Sequence, residues 1–226
     1  MTQAKIALLW LERLPNLSPD RIMKQFLPLL GQAWEANKTK FTDQHHEDDI
    51  TNELIADIIC QVHQSDLPWS VRPQMPVLVK KDDGYGEIIG RCDLIIDLGG
   101  NREYIHECKR LWPEGQGRTF TRSARLYVQE GLKRFLQPSE KHPTPHAQYE
   151  AWQGFAGMIG YVMDGRTPEA CEAVRAATNQ HAAPQEMTHP CSPACPAKGA
   201  LQFKSIHLDY AGETVQAHHL LLGLSS

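Results

Sequence analysis

Residues 87–109 read EIIGRCDLIIDLGGNREYIHECK, and this stretch is typical of a β-hairpin. Two glycines followed by Asn101 form a strong turn signal between two runs of alternating apolar and polar side chains. A three-residue turn at 99–101 fixes the register of the two strands, and that register places Asp93 opposite Glu107. The same register pairs Asp97 with Glu103 nearer the turn.

The side chains of the hairpin divide between two faces, because successive residues of a strand point in opposite directions. One face carries Arg91, Asp93, Ile95, Asp97, Glu103, Ile105, Glu107 and Lys109. The other carries Cys92, Leu94, Ile96, Leu98, Tyr104, His106 and Cys108, which is the composition of a core face. We therefore expect the Cys108 thiol to be buried rather than to act as a nucleophile.

Two directly opposed carboxylates repel each other unless a positive charge lies between them. A divalent cation would serve, since Mg²⁺ prefers one or two carboxylates together with water and a substrate phosphate. Lys109 shares the face of Glu107 and is placed to orient or deprotonate an attacking water, or to hold a phosphate. The pattern predicts a catalytic set of Asp93, Glu107 and Lys109.

The combined pattern resembles the PD-(D/E)XK, or restriction-endonuclease-like, nuclease superfamily. Residues 90–93 match its first motif and residues 107–109 its second, within an α-β-β-β-α order over about residues 45–137. Cys92 stands where the motif name has proline. The resemblance implies an α/β fold with a mixed central sheet flanked by helices. It also implies Mg²⁺ or Mn²⁺ held by Asp93, Glu107, the backbone carbonyl of Cys108 and a helix carboxylate.

The helix carboxylate is expected within residues 45–63, which form the clearest helical pattern of the chain. Its apolar face is formed by Ile50, Leu54, Ile58 and Val62. Glu47 shares that face and is the favoured metal ligand, and Glu53 is the alternative. Glu47 is also explained as an acidic residue favoured at a helix start by the helix dipole.

A basic segment follows the hairpin in a chain whose net charge is −4. Residues 109–134 contain seven basic and two acidic side chains. Nucleic-acid binding is predicted for Arg118, Arg122, Arg125, Tyr127 and Arg134. The first three fall on one stripe if the helix begins early enough, and the last two would line the cleft. An ordinary solvated helix face is the alternative.

The remaining sequence suggests the domain order. We expect an N-terminal helical segment (1–44), a nuclease core (45–164), an irregular Cys/His/Pro-rich insertion (165–200) and C-terminal strands completing the core (201–226). Within these segments the pattern predicts strands at 77–79, 201–208 and 214–222, and helices at 120–136 and 149–163.

The six cysteines are expected to be thiols or metal ligands in a reducing cytoplasm rather than a disulfide framework, because no export signal is evident. His189, Cys191 and Cys195 form a possible structural zinc site, with Cys171 and His181 upstream. A surface loop that happens to carry cysteines is favoured over this zinc site.

The functional expectation is a metal-dependent nuclease that hydrolyses phosphodiester bonds, with DNA favoured over RNA. The absence of a sequence-reading module suggests an effector subunit that acts with a partner protein or as a homo-oligomer, as in bacterial anti-phage defence complexes. No stretch reaches membrane-spanning length, so a cytoplasmic location is expected. The rival functions are a catalytically silent nucleic-acid-binding or scaffold subunit and a zinc-stabilised interaction protein.

Overall fold

The structure is a computed structural model that describes residues 18–65, 67–80, 86–99, 102–114, 119–138, 148–149, 151–189 and 194–224. Its centre is a seven-stranded sheet with the order β1-β2-β3-β4-β7-β6-β5. The strands are β1 (Ser70–Lys80), β2 (Gly86–Asp97), β3 (Glu103–Leu111), β4 (Phe155–Val162), β5 (Glu186–Thr188), β6 (Leu201–Leu208) and β7 (Thr214–Gly223). β4 runs parallel to β3 and β7, and the other neighbours are antiparallel. The expected mixed α/β sheet is therefore confirmed.

Helices cover both faces of this sheet. They are α1 (Pro19–Asn37), α2 (Glu47–Gln64), α3 (Thr121–Leu126) and α4 (Thr167–Ala182). The helical path of α3 continues through a wider π-type turn at Tyr127–Gly131 and a tight 3₁₀ turn at Leu132–Phe135. α2 confirms the helix predicted at 45–63, and its four expected apolar residues are all buried. No helix in the described ranges is long and apolar enough to cross a membrane.

The core consists of two hydrophobic clusters, one on each side of the sheet. On the first side α1 and α2 pack against Leu94, Ile96 and Tyr104, and Trp34 of α1 stacks on Tyr161 of β4 with ring centroids 5.8 Å apart. On the other side α3 and α4 pack against Ile95 and other strand residues. The hairpin is therefore buried on both faces, although the sequence suggested a core on one face only.

The predicted register of the hairpin is confirmed near its turn. β2 and β3 pair from Asp97 with Glu103 to Leu94 with His106, and the Leu98 N–H donates to the Arg102 carbonyl at 3.0 Å. The turn residues 100 and 101 lie outside the described residues. Beyond His106, β3 pairs in parallel with β4, so it becomes an interior strand of the sheet.

The helix predicted at 149–163 is wrong, because Phe155–Val162 forms the parallel strand β4. Both faces of this strand are buried, so its residues show no apolar-polar alternation that would have indicated a strand. Gly157 makes room for a neighbour: a Cβ there would lie 2.1 Å from Cδ2 of His106. Close packing around a glycine therefore occurs here between neighbouring strands of the sheet.

The segment 165–200 was expected to be irregular, whereas residues 167–182 and 186–188 form regular elements. It contains α4 and β5, and the helix buries mainly small side chains such as Ala170, Cys171 and Thr178. Small and weakly apolar residues give little hydrophobic periodicity, which explains why the helix was missed.

The first strand is longer than the sequence indicated. Residues 77–79 were predicted as a strand, whereas β1 begins at Ser70 and includes Pro73 and Pro76. Proline cannot donate a ladder hydrogen bond, but it is tolerated in an edge strand. β1 stands first in the strand order, which is consistent with both prolines.

Candidate active site

Lys109 lies at the centre of a group of oxygen atoms from three elements. Its Nζ donates to the Cys108 carbonyl at 2.7 Å and to Glu107 Oε1 at 2.8 Å, both in β3. It also donates to Glu47 Oε1 in α2 at 3.0 Å and lies 3.8 Å from Asp93 Oδ2 in β2. The structure therefore brings together all the residues predicted to be catalytic or to hold the metal.

Glu47, rather than Glu53, is the helix carboxylate at this place. It is the first residue of α2, where the positive end of the helix dipole favours an acidic side chain. Its Oε2 accepts the backbone N–H of Arg110 at 2.8 Å, which fixes the carboxylate against β3. Glu53 points away and pairs at the surface with Lys40 at 3.0 Å.

Asp93 does not pair across the ladder with Glu107 as the sequence predicted. The β2–β3 pairing ends at Leu94 and His106, and the Asp93 carboxylate instead accepts the Cys108 N–H at 2.7 Å. The Asp93 side chain thus accepts a hydrogen bond from a backbone N–H of β3. The regular pairing of β2 with β3 ends at this point, next to the site. The register was correct, but it assumed a ladder that continued past this point.

Glu107 is held by two groups on the side of the sheet covered by α3. Its side chain is fully buried, and its Oε1 accepts from Arg134 Nη1 at 2.6 Å. Its Oε2 accepts from the Tyr149 hydroxyl at 3.0 Å, and the same hydroxyl contacts Arg134 at 2.8 Å. Tyr149 was missed because it stood in a wrongly predicted helix, and no local sequence signal marks it.

The π-type turn brings the chain close to Glu107. Gly131, the last residue of that turn, lies so near that a Cβ there would be 2.6 Å from Met158 Cε and 3.4 Å from Glu107 Cγ. The tight turn that follows carries Arg134 toward the site. Irregular helical turns of this kind are frequent at functional sites.

The electrostatics of the site reflect buried acids that share cations. Burial, reinforced by the neighbouring Asp93 carboxylate, raises the pKa of Glu107 to about 7. Burial likewise raises the pKa of Glu47 and of Asp93. Burial alone would lower the pKa of Lys109, but the carboxylates around it raise that pKa above its usual value, so the lysine is an ammonium.

The predicted nucleic-acid-binding residues are only partly brought together. Arg134 contacts Glu107, whereas Arg122 and Arg125 are exposed on α3, where Arg122 pairs with Glu114 at 3.3 Å. Since α3 begins at Thr121, the predicted stripe starting at Arg118 cannot lie on it, and Arg118 itself is outside the described residues.

The cleft position predicted for Tyr127 is wrong. Its side chain is fully buried, and its hydroxyl lies 3.2 Å from Nδ1 of His219. Tyr127 and Arg134 are seven residues apart and would share one face of a regular α-helix. The wider turn at Tyr127–Gly131 rotates Arg134 relative to Tyr127, so the two side chains do not share a face.

The cysteine predictions have mixed outcomes. Cys108 faces the core as predicted, and the Tyr161 hydroxyl lies 3.4 Å from its sulfur. Of the possible zinc ligands, His189 contacts the Gln202 carbonyl at 2.7 Å, and the thiol of Cys195 contacts the Leu27 carbonyl at 3.7 Å. Cys191 lies outside the described residues, so the zinc site stays a prediction.

The oxygens around Lys109 fit a hard divalent cation by their chemistry. Three carboxylates and one carbonyl are the type of ligand that Mg²⁺ and Mn²⁺ take in proteins. As the side chains stand, these oxygens converge on the ammonium of Lys109. Within the described ranges no three His, Cys, Asp or Glu side chains are arranged as a metal-binding group.

The chain was also compared with known proteins. No protein-family model, curated protein or solved structure matches it.

Proposed function

We propose that the protein is a metal-dependent nuclease with a restriction-endonuclease-like core. The observation that carries this proposal is the convergence of Glu47, Asp93, Glu107 and the Cys108 carbonyl around the Lys109 ammonium. A fold gains nothing in stability from placing three acids and one lysine together in a largely buried site, because each charge must be desolvated. Such groups are more readily explained by chemistry on a charged substrate.

In this proposal Glu47, Asp93, Glu107 and the Cys108 carbonyl hold Mg²⁺ or Mn²⁺. When bound, that ion would lower the pKa of a coordinated water and stabilise negative charge on the scissile phosphate. The protein contributes the position of the ligands: Arg110 N–H fixes Glu47, Cys108 N–H fixes Asp93, and Tyr149 fixes Glu107.

The two cations of the site have separate roles in this proposal. Lys109 orients the attacking water or holds a phosphate oxygen through its N–H groups. Arg134 neutralises Glu107, which would otherwise be a fully buried acid facing two other carboxylates. A negatively charged substrate is then attracted by the exposed Arg122 and Arg125 of the helix that leads to Arg134.

We further propose DNA as the preferred substrate and a role as an effector subunit of a bacterial anti-phage defence complex. This part rests on the family resemblance. A partner protein or a second copy of the chain would then supply target choice and the cutting of both strands.

The test is a cleavage assay on single- and double-stranded DNA and RNA with Mg²⁺, Mn²⁺ or EDTA. Metal-dependent cutting is expected for the wild type and for Lys40→Met, a surface change away from the site. Cutting should be lost in Lys109→Met. Activity that survives this substitution would contradict the proposed site. Absence of cutting in every condition, with nucleic acid still bound, would favour the silent binding subunit.

A further inference from the structure

The ammonium of Lys109 has no hydrogen left to offer a substrate. A lysine ammonium has three N–H bonds. Three acceptors lie within 3.0 Å of Nζ, namely Glu47 Oε1, Glu107 Oε1 and the Cys108 carbonyl. In this arrangement Lys109 is saturated by the protein itself, and it cannot also donate to a water or to a phosphate.

The same oxygens are those that the proposed function assigns to a divalent cation. The acidic residues around Lys109 are its neighbours from β2, β3 and α2, and the only other cation in direct contact with them among the described residues is Arg134, on Glu107. A divalent cation bound by Glu47, Glu107 and the Cys108 carbonyl would need the lone pairs that the Lys109 ammonium now uses, and the two charges would repel each other at such short range.

We propose that Lys109 is an exchangeable internal counter-ion, whose Nζ withdraws from these oxygens when a divalent cation binds. This inference rests on the proposed function for the identity of the cation. In the present arrangement the lysine neutralises the surrounding acids, and its release frees its three N–H groups for the substrate. Binding of the divalent cation and release of the Lys109 N–H groups are therefore coupled in one step.

The geometry allows such a withdrawal. The lysine side chain has four rotatable bonds, and its side chain is 15% exposed, so its head can reach the surface without unfolding β3. Its partners keep other contacts when it leaves: Glu47 retains the Arg110 N–H, Asp93 the Cys108 N–H, and Glu107 both Arg134 and Tyr149.

Exchange makes a prediction about metal binding that a purely catalytic lysine does not make. Removing the ammonium abolishes the competition, so Lys109→Met should bind Mn²⁺ about tenfold or more tightly than the wild type. Mn²⁺ should also raise the melting temperature of this variant by more than it raises that of the wild type. Glu107→Gln should weaken Mn²⁺ binding, and Lys40→Met should leave it unchanged.

The measurement is titration with Mn²⁺ alone, followed by the electron paramagnetic resonance signal of the free ion, without nucleic acid. Equal or weaker Mn²⁺ binding by Lys109→Met would overturn the inference. A second measurement uses the wild type and does not depend on the folding of a variant. The ¹⁵N NMR signal of the hydrogen-bonded Lys109 ammonium should be lost to solvent exchange when Mg²⁺ is added. Its persistence at saturating Mg²⁺ would overturn the inference as well.

Failure of this inference is distinguishable from failure of the proposed function. If Mg²⁺ displaces Lys109 but the protein cuts no nucleic acid, the counter-ion inference is supported and the proposed nuclease function is contradicted. Metal-dependent cutting with an undisplaced lysine would do the opposite.

Discussion

Arg134 Nη1 lies 2.6 Å from Glu107 Oε1, the oxygen that also accepts from Lys109 at 2.8 Å. One buried carboxylate oxygen thus serves two cations that approach from different elements. The Arg134 side chain is 30% exposed, whereas that of Glu107 is fully buried. The negative charge of Glu107 is therefore balanced by a guanidinium that is itself in contact with solvent.

The substitution Arg134→Met is expected to lower the free energy of unfolding by about 2 kcal/mol. Removing one partner of a buried ion pair usually costs more, but Glu107 keeps Lys109 and Tyr149, and Arg134 is partly solvated. Chemical denaturation measures this loss. Arg175→Met is the matched control, because Arg175 has the same 30% exposure but pairs with an exposed glutamate, Glu172. The control should cost about 0.5 kcal/mol or less, and an equal loss in both variants would contradict the special role of Glu107.

Tyr149→Phe is expected to lower the free energy of unfolding by about 1–2 kcal/mol. The hydroxyl accepts from Arg134, and its single hydrogen lies in a buried place between two acceptors, Glu107 and the Arg91 carbonyl. Tyr104→Phe provides the comparison: Tyr104 is equally buried, but its hydroxyl makes a longer 3.3 Å contact with Gln153. In thermal denaturation, Tyr149→Phe should have a lower melting temperature than Tyr104→Phe. The reverse order would show that the hydroxyl of Tyr149 does not support the site.

Glu47→Gln is expected to reduce metal-dependent cleavage by about a hundredfold or more, because a ligand of the proposed ion becomes a neutral amide. Glu53→Gln in the same helix should retain wild-type activity, since its carboxylate pairs with Lys40 at the surface. Initial cleavage rates at saturating Mg²⁺ compare the two. Equal activities would remove Glu47 from the proposed ligand set.

His106→Phe should gain stability over the wild type as the pH falls from 6.5 to 4. Burial lowers the pKa of His106 to about 4, so the folded protein binds a proton less readily than the unfolded chain. The stability contributed by this neutral histidine is present above pH 6.5 and is lost as the pH falls through 4. The relative gain of the variant across this range is on the order of 3 kcal/mol.

The His106 ring also lacks a hydrogen-bond partner on either nitrogen among the described residues, and it lies between Phe26 and Phe155. Replacing it by a phenyl ring therefore leaves no hydrogen-bond partner among the described residues unpaired. The measurement is denaturation at several pH values, with His63→Phe as the control because its side chain is exposed. A constant difference between wild type and His106→Phe across the pH range would contradict the prediction.

The parts of the fold that follow from local pattern were predictable. The hairpin register near its turn, α2 and the two C-terminal strands all carry strong periodicity or turn signals, and the structure confirms them. β4 was not predictable in this way, because a strand buried on both faces has no alternation to read. Its identity depends on pairing with β3 and β7, which are distant in sequence.

The candidate site shows the same division between local and long-range information. Asp93, Glu107 and Lys109 could be grouped from spacing alone, because one hairpin carries them. Tyr149 could not be, since it reaches Glu107 from 42 residues away and only tertiary packing brings the two together. Tyr127 failed for a local reason, because one π-type turn changes the helical phase on which the prediction relied.

Cys108 contributes to the candidate site through its main-chain groups and not through its side chain. Its N–H holds Asp93, its carbonyl receives Lys109, and its thiol is packed away among core residues. Every amino acid except proline offers the same two main-chain groups. A small apolar side chain of similar volume can therefore replace cysteine here without changing the two main-chain contacts. In related proteins, the residue between the equivalents of Glu107 and Lys109 is therefore expected to vary, whereas the backbone conformation of β3 at this position is expected to be retained.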